Sequence, residues 1–275
     1  MRGYPESIFL SKREALLFLH RGRDPTESII MEFPIKGFLE TSFVDWPGKI
    51  ASVLFLPHCN FRCPYCHNYE LVTDPGQFPT VPFDNILETL RYYRGWIDGV
   101  CITGGEPTLL PSLPELITRI RQERMLVKLD TNGSHPRVLK SLINAHLVDY
   151  VAMDVKAPLD RASYERCSGA TVDLADIVES VNLLKASRLP YEFRITVAPA
   201  FLGEEDLIRL AHQLKGARKL TLQHFSPVHT LDPCCRTIAP YPENLIRAMQ
   251  EGVNSILKTD PAADQPDASL YLQAS

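Results

Sequence analysis

A long apolar run is the first thing this sequence lacks. Ile50–Leu56 is one of its longest apolar stretches, whereas a membrane-spanning helix needs about 20 such residues. A basic excess is also missing, since 29 Lys and Arg stand against 33 Asp and Glu, for a net charge of −4. No nucleic-acid-binding surface is indicated by that balance. With no secretory signal recognised, we predict a cytoplasmic protein that binds neither membrane nor nucleic acid.

The sequence also lacks the paired cysteines of a secreted disulfide framework. Its seven cysteines are odd in number, and three of them cluster in Cys59-Asn-Phe-Arg-Cys63-Pro-Tyr-Cys66. Such a cluster is more typical of metal binding in a reducing compartment. Three thiolates on one loop are enough for three irons of a cubane iron–sulfur cluster, which is commonly held by four cysteines. One iron would then remain open to another ligand.

Two other readings of the same cysteines have to be weighed. Cys63-Pro-Tyr-Cys66-His67 matches the C-x-x-C-H pattern of c-type haem attachment. That pattern leaves Cys59 unused, and the chain shows no signal for the compartment where such haem is attached. A Cys3His zinc site is the second alternative. Zinc would not explain the glycine-rich Gly104-Gly105-Glu106 further along the chain, so the pattern favours the cluster.

From residue 49 onward, β-rich runs alternate with amphipathic stretches, which is typical of a parallel sheet with helical crossovers. About six β/α units can be counted, enough for a partial barrel or an open doubly wound sheet. The predicted strands are Ile50–Leu56, Gly99–Thr103, Leu126–Asp130, Tyr150–Asp154, Tyr191–Val197 and Leu220–His224. The predicted helices are Asn85–Arg94, Leu113–Arg124, Arg137–Ala145, Leu174–Ala186, Glu204–Leu214 and Glu243–Leu257.

Polar and thiol side chains follow the carboxyl ends of these strands. They are the cysteine loop, Gly104-Gly105-Glu106, Asp130-Thr131-Asn132-Gly133, Asp154 with Lys156, and the histidines after residue 223. In barrels and open α/β sheets alike, ligands bind at that edge. We therefore expect these five loops to converge on one cavity.

The two ends of the chain differ from this core, which we place at residues 31–258. Residues 1–30 contain one possible short helix at Ala15–His20 and are predicted to be a dispensable extension, with Met31 as an alternative start of translation. Residues 259–275 are rich in Pro and Asp and are predicted to form a flexible tail.

Between Pro34 and Leu257 the combined motifs resemble the radical S-adenosylmethionine (SAM) superfamily. The resemblance implies a partial (β/α)6 TIM-like barrel in which Cys59, Cys63 and Cys66 hold a [4Fe–4S] cluster with an open iron for SAM. It places Tyr65 near the adenine, with simple loop packing as the alternative. It also implies that Gly104, Gly105 and Glu106 receive the amino group of SAM.

The local match is best to activating enzymes of glycyl-radical proteins, in particular to those of anaerobic ribonucleotide reductase. It is carried by residues 42–49, by Phe55-Leu56-Pro57-His58-Cys59 and by Cys66-His67-Asn68. The resemblance implies a monovalent cation, and SAM contacts from several side chains, for which strand-end capping and surface ion pairs are the alternative. The cation ligands would be Asp130, Thr131 and Asp154, and the SAM contacts His67, Lys156, Arg194 and His229, with His224 competing with His229.

Four cysteines fall outside the cluster motif, namely Cys101, Cys167, Cys234 and Cys235. Cys101 lies inside a predicted strand, where an unpaired cysteine usually packs as a small apolar residue. Cys234 and Cys235 are adjacent and lack a C-x-x-C partner, so a second cluster is only a minor alternative.

The resemblance implies an oxygen-sensitive oxidoreductase that cleaves SAM to a 5′-deoxyadenosyl radical and takes a hydrogen atom from a glycine of a partner protein. A flavodoxin or ferredoxin-type protein would supply the electron. Two alternatives stay open, since a fold alone does not determine function. One is a radical SAM enzyme acting on a small molecule, and the other is an iron–sulfur electron carrier or zinc-stabilised binding module without catalytic activity.

Overall fold

A computed structural model describes residues 32–258 as a seven-stranded sheet covered by helices. The strands are β1 (Gly37–Ser42), β2 (Ala51–Leu56), β3 (Gly99–Gly104), β4 (Leu126–Thr131), β5 (Tyr150–Asp154), β6 (Tyr191–Val197) and β7 (Leu220–His224). The predicted extension at 1–30, its helix at 15–20 and the predicted tail at 259–275 lie outside the described residues.

Eight α-helices connect and follow these strands within the described part of the chain. They are α1 (Tyr69–Thr73), α2 (Phe83–Tyr92), α3 (Leu113–Gln122), α4 (Pro136–Asn144), α5 (Arg161–Ser168), α6 (Leu174–Ala186), α7 (Glu204–Gln213) and α8 (Glu243–Leu257). Over residues 32–258, no helix combines the length and apolarity that crossing a membrane would require.

The order of the strands decides between the two architectures that the sequence allowed. Each strand pairs with the next one along the chain, from β1 to β7. All pairs from β2 to β7 are parallel, and only β1 runs antiparallel to its neighbour. A doubly wound sheet reverses its strand order at a switch point, and this sheet has no reversal over the described residues. The partial (β/α)6 barrel is therefore confirmed.

The two faces of the sheet differ in chemistry. Apolar side chains on one face, such as Val127 and Leu129 of β4, belong to a buried core with Leu116 and Ile120 of α3. The opposite face carries polar side chains, including the fully buried Lys128. Because side chains alternate along a strand, the register between β4, β5 and β6 aligns such positions on neighbouring strands. This polar inner face leads up to the candidate site.

Most predicted elements are confirmed, five of them with identical bounds: β5, β6, β7, α6 and α8. Three elements were missed: β1, α1 and α5. Helix α5 is polar and carries few apolar residues, so its sequence shows no helical periodicity. It forms because Asp160 caps its amino end by accepting from the Ser163 amide, and because Tyr164 and Cys167, three residues apart, bury one side.

Candidate active site at the carboxyl ends of the strands

The three clustered cysteines lie together on the loop that follows β2. All three are free thiols; Cys63 is buried, whereas Cys59 and Cys66 are partly exposed. A tight turn joins the last two, since the Cys66 amide donates to the Cys63 carbonyl at 2.9 Å. Burial raises the pKa of the Cys59 and Cys63 thiols to about 11. These thiols would therefore become thiolates only beside a strong positive charge such as a metal ion.

The glycine motif is joined to the start of the cysteine loop by its backbone. The Gly105 amide donates to the Leu56 carbonyl at 2.8 Å, and the Glu106 amide donates to the His58 carbonyl at 2.7 Å. Gly104 has a φ of +115°, and a Cβ on Gly105 would lie 1.7 Å from the His58 carbonyl oxygen. Only glycine permits this approach. His58 itself has a φ of +65°, so the residue before Cys59 is held in a strained conformation.

The Glu106 carboxylate accepts four hydrogen bonds from the protein. Thr108 donates to Oε1 through its amide and its hydroxyl, at 3.1 and 2.5 Å, and the Thr131 hydroxyl donates to the same atom at 2.7 Å. The Asn132 amide donates to Oε2 at 2.6 Å. Three of these donors converge on Oε1, whereas Oε2 accepts one hydrogen bond and keeps one acceptor position. The side chain ties the end of β3 to the end of β4, and the ammonium partner expected for Glu106 stays a prediction.

Burial of Glu106 has an electrostatic cost that the hydrogen bonds only partly offset. Burial raises the pKa of this carboxyl, and the bonds from Thr108, Asn132 and Thr131 lower it, with a net upward shift. Within the Gly104-Gly105-Glu106 motif, the amides of Gly105 and Glu106 are already used as donors, so a ligand would meet mainly acceptors there.

Asn132 was missed as a site residue, although the sequence placed it in the right loop. Its side-chain amide lies 3.7 Å from the Cys59 sulfur and donates to the Asn60 side-chain oxygen at 2.9 Å. The Phe61 amide donates to the same sulfur at 3.3 Å. Hydrogen bonds to cysteine sulfurs tune iron–sulfur clusters, so these donors belong to the site. The signal was the Asn itself, directly after the strand-end Asp-Thr.

Five charged side chains form a continuous series across β4, β5 and β6, which we call the charge chain. Arg194 donates from Nε to Asp154 Oδ1 at 2.8 Å and lies 3.1 Å from Asp130 Oδ2 through Nη2. Lys128 contacts Asp130 at one end, and Lys156 lies 3.5 Å from Asp154 at the other. Three cations against two carboxylates leave one positive charge in excess. Lys128, fully buried, was not predicted as a site residue.

The Lys156 end of the charge chain faces the cysteine loop. Burial lowers the pKa of Lys156, but Asp154, Cys63, Tyr164 and Cys59 all raise it, and the net shift is upward. Burial raises the pKa of Asp154, but the charges of Arg194 and Lys156 outweigh this effect and bring the pKa down to about 2. Both groups therefore stay charged at neutral pH, and the excess cation interacts electrostatically with Cys63.

Two buried tyrosine hydroxyls near Cys63 lack a hydrogen-bond partner among the described residues, namely those of Tyr65 and Tyr164. The Lys156 amide approaches the Tyr164 oxygen without well-aligned hydrogen-bond geometry, and it is a donor, so the hydroxyl proton still has no acceptor. The ring of Tyr65 packs 5.4 Å from that of Phe201. Unsatisfied buried hydroxyls are rare. Their lack of a partner suggests that a bound ligand supplies one.

Of the two competing histidines, His229 lies at the cysteine loop. The ring centroids of His67 and His229 are 5.6 Å apart and the rings are nearly perpendicular. Burial and the neighbouring His229 lower the pKa of His67. His67, His224 and His229 are all exposed, so it is the ring contact with His67 that places His229 at the loop. The segment after His229 also contacts the loop, where the Asp232 amide donates to the Pro64 carbonyl at 2.8 Å.

The remaining cysteines make no second site. Cys101 and Cys167 are buried, whereas the adjacent Cys234 and Cys235 differ, the first exposed and the second buried. Across residues 32–258, no three His, Cys, Asp or Glu side chains converge so as to hold one metal ion. A cubane cluster makes a different demand, because each thiolate binds its own iron.

The residues fit an iron–sulfur cluster with SAM, but they do not fit the expected monovalent cation. Three free thiols on one loop, two unsatisfied hydroxyls and an excess positive charge that interacts with Cys63 suit an anionic cluster and a ligand carboxylate. The carboxylates of Asp130 and Asp154, however, already hold Arg194. The third expected ligand, Thr131, turns its hydroxyl to Glu106.

Comparison with known proteins agrees with this site. Residues 53–214 match the family model of the Radical SAM superfamily. A Methanocaldococcus jannaschii protein, provisionally named a glycyl-radical enzyme activating enzyme, is 32% identical over 222 residues, covering 80% of this chain and 91% of the relative. Pyruvate formate-lyase-activating enzyme of Staphylococcus aureus is 26% identical over 202 residues, covering 68% and 78%.

Among solved structures, Streptococcus suis SuiB bound to its precursor peptide SuiA superimposes with a TM-score of 0.57 at 14% identity, over 74% of this chain and 44% of that one. That likeness concerns the fold alone. The sequence matches carry the assignment, because the family match over residues 53–214 includes the cysteine loop and the ends of β3 to β6. The chain is a radical SAM oxidoreductase and belongs to the group of glycyl-radical enzyme activating enzymes.

Proposed function

We propose that this enzyme converts a glycine of a partner glycyl-radical enzyme into a radical, and that anaerobic ribonucleotide reductase is the partner class. One observation carries the chemistry: the three-cysteine loop is fastened to Gly104-Gly105-Glu106 and to Asn132, and the excess cation of the charge chain interacts with Cys63. When bound, the cluster would deliver one electron to SAM, and the chemistry supplied would be its cleavage to methionine and a 5′-deoxyadenosyl radical able to take a hydrogen atom from the glycine Cα.

The chain's own residues position the ligands of that reaction. Cys59, Cys63 and Cys66 would hold three irons of the [4Fe–4S] cluster. The backbone of Gly104 and Gly105 would meet the amino group of SAM. Lys156, helped by Arg194, would neutralise the carboxylate, since the charge chain has one cation more than it needs.

Four further residues would complete the SAM site. Tyr65 and the pair His67 and His229 lie around the cysteine loop, where they would contact the nucleoside and exclude water. Glu106 would act indirectly, by keeping the loops after β3 and β4 together. A monovalent cation at Asp130, Thr131 and Asp154 is not part of this proposal.

The form of the barrel supports a polypeptide substrate. Over the described residues, β1 and β7 are the two ends of the sheet and do not pair with each other, so the barrel is open along one side. Thr196 of β6 and Gln223 of β7, which are register partners close to that opening, are partly exposed. Uncharged donors and acceptors suit a peptide backbone. A small-molecule substrate remains the competing proposal.

The partner assignment rests on the relatives' names and on the motif resemblance. The same proposal includes a flavodoxin or ferredoxin-type protein as electron donor. It also places the enzyme in the cytoplasm, because an oxygen-sensitive cluster needs a reducing compartment.

The test is anaerobic. The protein is reconstituted with iron and sulfide, then mixed with SAM, dithionite and candidate glycyl-radical enzymes, and 5′-deoxyadenosine is quantified together with the electron paramagnetic resonance signal of a glycyl radical. We expect both products with an anaerobic ribonucleotide reductase. 5′-Deoxyadenosine without a glycyl radical on any partner would favour a small-molecule substrate. No 5′-deoxyadenosine from protein with a full cluster would favour an electron carrier.

A further inference from the structure

The charge chain contradicts one expectation drawn from the family resemblance, namely an alkali cation between Asp130 and Asp154. We infer that the Arg194 guanidinium takes the place of that cation, so that this enzyme binds SAM without a monovalent metal ion. The inference rests on the proposed SAM site and concerns how its carboxylate end is neutralised.

The first argument is the geometry of Arg194. A single guanidinium uses Nε for Asp154, at 2.8 Å, and Nη2 for Asp130, at 3.1 Å. Planar, multi-donor recognition of carboxylates is what distinguishes Arg from a point charge. Its side chain is 14% exposed, so these contacts are largely shielded from water.

The second argument is that the sheet leaves room for this arginine to cross a strand. Asp130 lies on β4 and Arg194 on β6, with β5 between them. The β5 residue aligned with Asp130 is Ala152, a small and fully buried residue. A bulky side chain there would obstruct the Arg194 side chain on its way to Asp130. The small Ala152 and the long Arg194 therefore form a matched pair.

The third argument is charge. Lys128 already contacts Asp130, and Lys156 lies 3.5 Å from Asp154, so the two carboxylates are flanked by three cations. The one excess cation of the charge chain would already balance the SAM carboxylate, so an added alkali ion would leave a positive charge without a partner there. It would also lack the Thr131 hydroxyl, which donates to Glu106 at 2.7 Å.

The first experiment measures the SAM affinity of the reconstituted enzyme in potassium, sodium or tetramethylammonium chloride at equal ionic strength. We expect the dissociation constant to change by less than about twofold, since exposed charges are screened alike in the three salts. A loss of tenfold or more in tetramethylammonium would overturn the inference. Complete absence of SAM binding would instead count against the proposed function, and the crystal experiment below would still decide the inference.

The second experiment removes the guanidinium. Arg194→Gln leaves Asp130 and Asp154 without their shared cation, so SAM should bind about tenfold more weakly or worse in tetramethylammonium, and potassium should restore part of that loss. Arg209→Gln is the matched control, because Arg209 also bridges two aspartates, Asp160 and Asp206, but is 53% exposed on the surface. Arg209→Gln should bind SAM as the unaltered enzyme does in every salt. Weak binding by Arg194→Gln that potassium does not improve would argue against ion replacement.

The third experiment needs neither a variant nor activity. Crystals of the holoenzyme grown in rubidium chloride are measured at the rubidium absorption edge. We expect no anomalous peak between Asp130 and Asp154, and a peak there would overturn the inference whether or not SAM is bound.

Discussion

The two halves of the site are held in different ways. The half between β2 and β3 consists of the cysteine loop and Gly104-Gly105-Glu106, joined by backbone hydrogen bonds and by a glycine that tolerates no Cβ. The half formed by β4, β5 and β6 is the charge chain, held by long side chains reaching across strands. The first half fixes where a cluster can lie, and the second fixes the charge that it meets.

The largest expected effect removes a thiol from the backbone-built half. Cys63→Ala should lose the cluster and reduce 5′-deoxyadenosine to background, because the loop supplies only three ligands. Iron content and 5′-deoxyadenosine after anaerobic reconstitution measure this. Cys234→Ala is the control, since this exposed cysteine lies outside the loop. Loss of iron in that control would instead reveal a second cluster.

A sharper test of the backbone-built half is Gly105→Ala. The added Cβ would lie 1.7 Å from the His58 carbonyl oxygen, so the backbone has to shift. We expect the free energy of unfolding to fall by about 3 kcal/mol, measured by urea denaturation. Gly252→Ala on α8 meets nothing within 4 Å and should stabilise the protein by about 0.5 to 1 kcal/mol. Equal effects of the two changes would show that the glycine contact is not tight.

The two halves are expected to depend on pH in opposite ways. Asp154 has a folded pKa of about 2, below its unfolded value of 3.8. Its contribution to stability is therefore present above pH 4 and is lost as the pH falls toward 2. For this partly exposed group, we expect that contribution to the free energy of unfolding to be about 1 to 2 kcal/mol.

This prediction is measured by urea unfolding of cluster-free protein at several pH values, once circular dichroism shows it to be folded. Asp154→Asn should have a lower free energy of unfolding than the unaltered chain above pH 4, and this difference should become smaller toward pH 2. Glu106→Gln is the contrast, because burial raises the pKa of Glu106. The difference in free energy of unfolding between Glu106→Gln and the unaltered chain should instead become smaller as the pH rises above 4.5. The same trend in both variants would contradict the comparison.

The smallest expected effect lies where the two halves meet. Asn132→Ala removes the amide that lies 3.7 Å from the Cys59 sulfur. The cluster should remain, but its reduction potential should become more negative, because one hydrogen bond to a sulfur is lost. A redox titration followed by electron paramagnetic resonance measures this. Asn254→Ala, on the far helix α8, should leave the potential unchanged. An unchanged potential in Asn132→Ala would place this amide outside the cluster's surroundings.

The fold and the backbone-built half were largely predictable, since both depend on local patterns. Alternating apolar runs located six strands and six helices, and the cysteine spacing located the loop. The missed α5 shows the limit: its polar sequence becomes a helix because Asp160 caps it and Tyr164 packs against Phe61, whose ring lies 6.4 Å away. That second contact spans about a hundred residues of chain and cannot be read locally.

Local sequence patterns are enough to show that three thiolates share a loop, that glycines follow the next strand and that the chain is a β/α protein. Spacing and periodicity encode these properties. The folded arrangement was needed to show that Glu106 bonds Thr131 and Asn132, that His229 rather than His224 lies at the loop, and that Arg194 bridges Asp130 and Asp154. Which charges meet depends on strand order and register, because a long side chain can reach a neighbouring strand as easily as solvent.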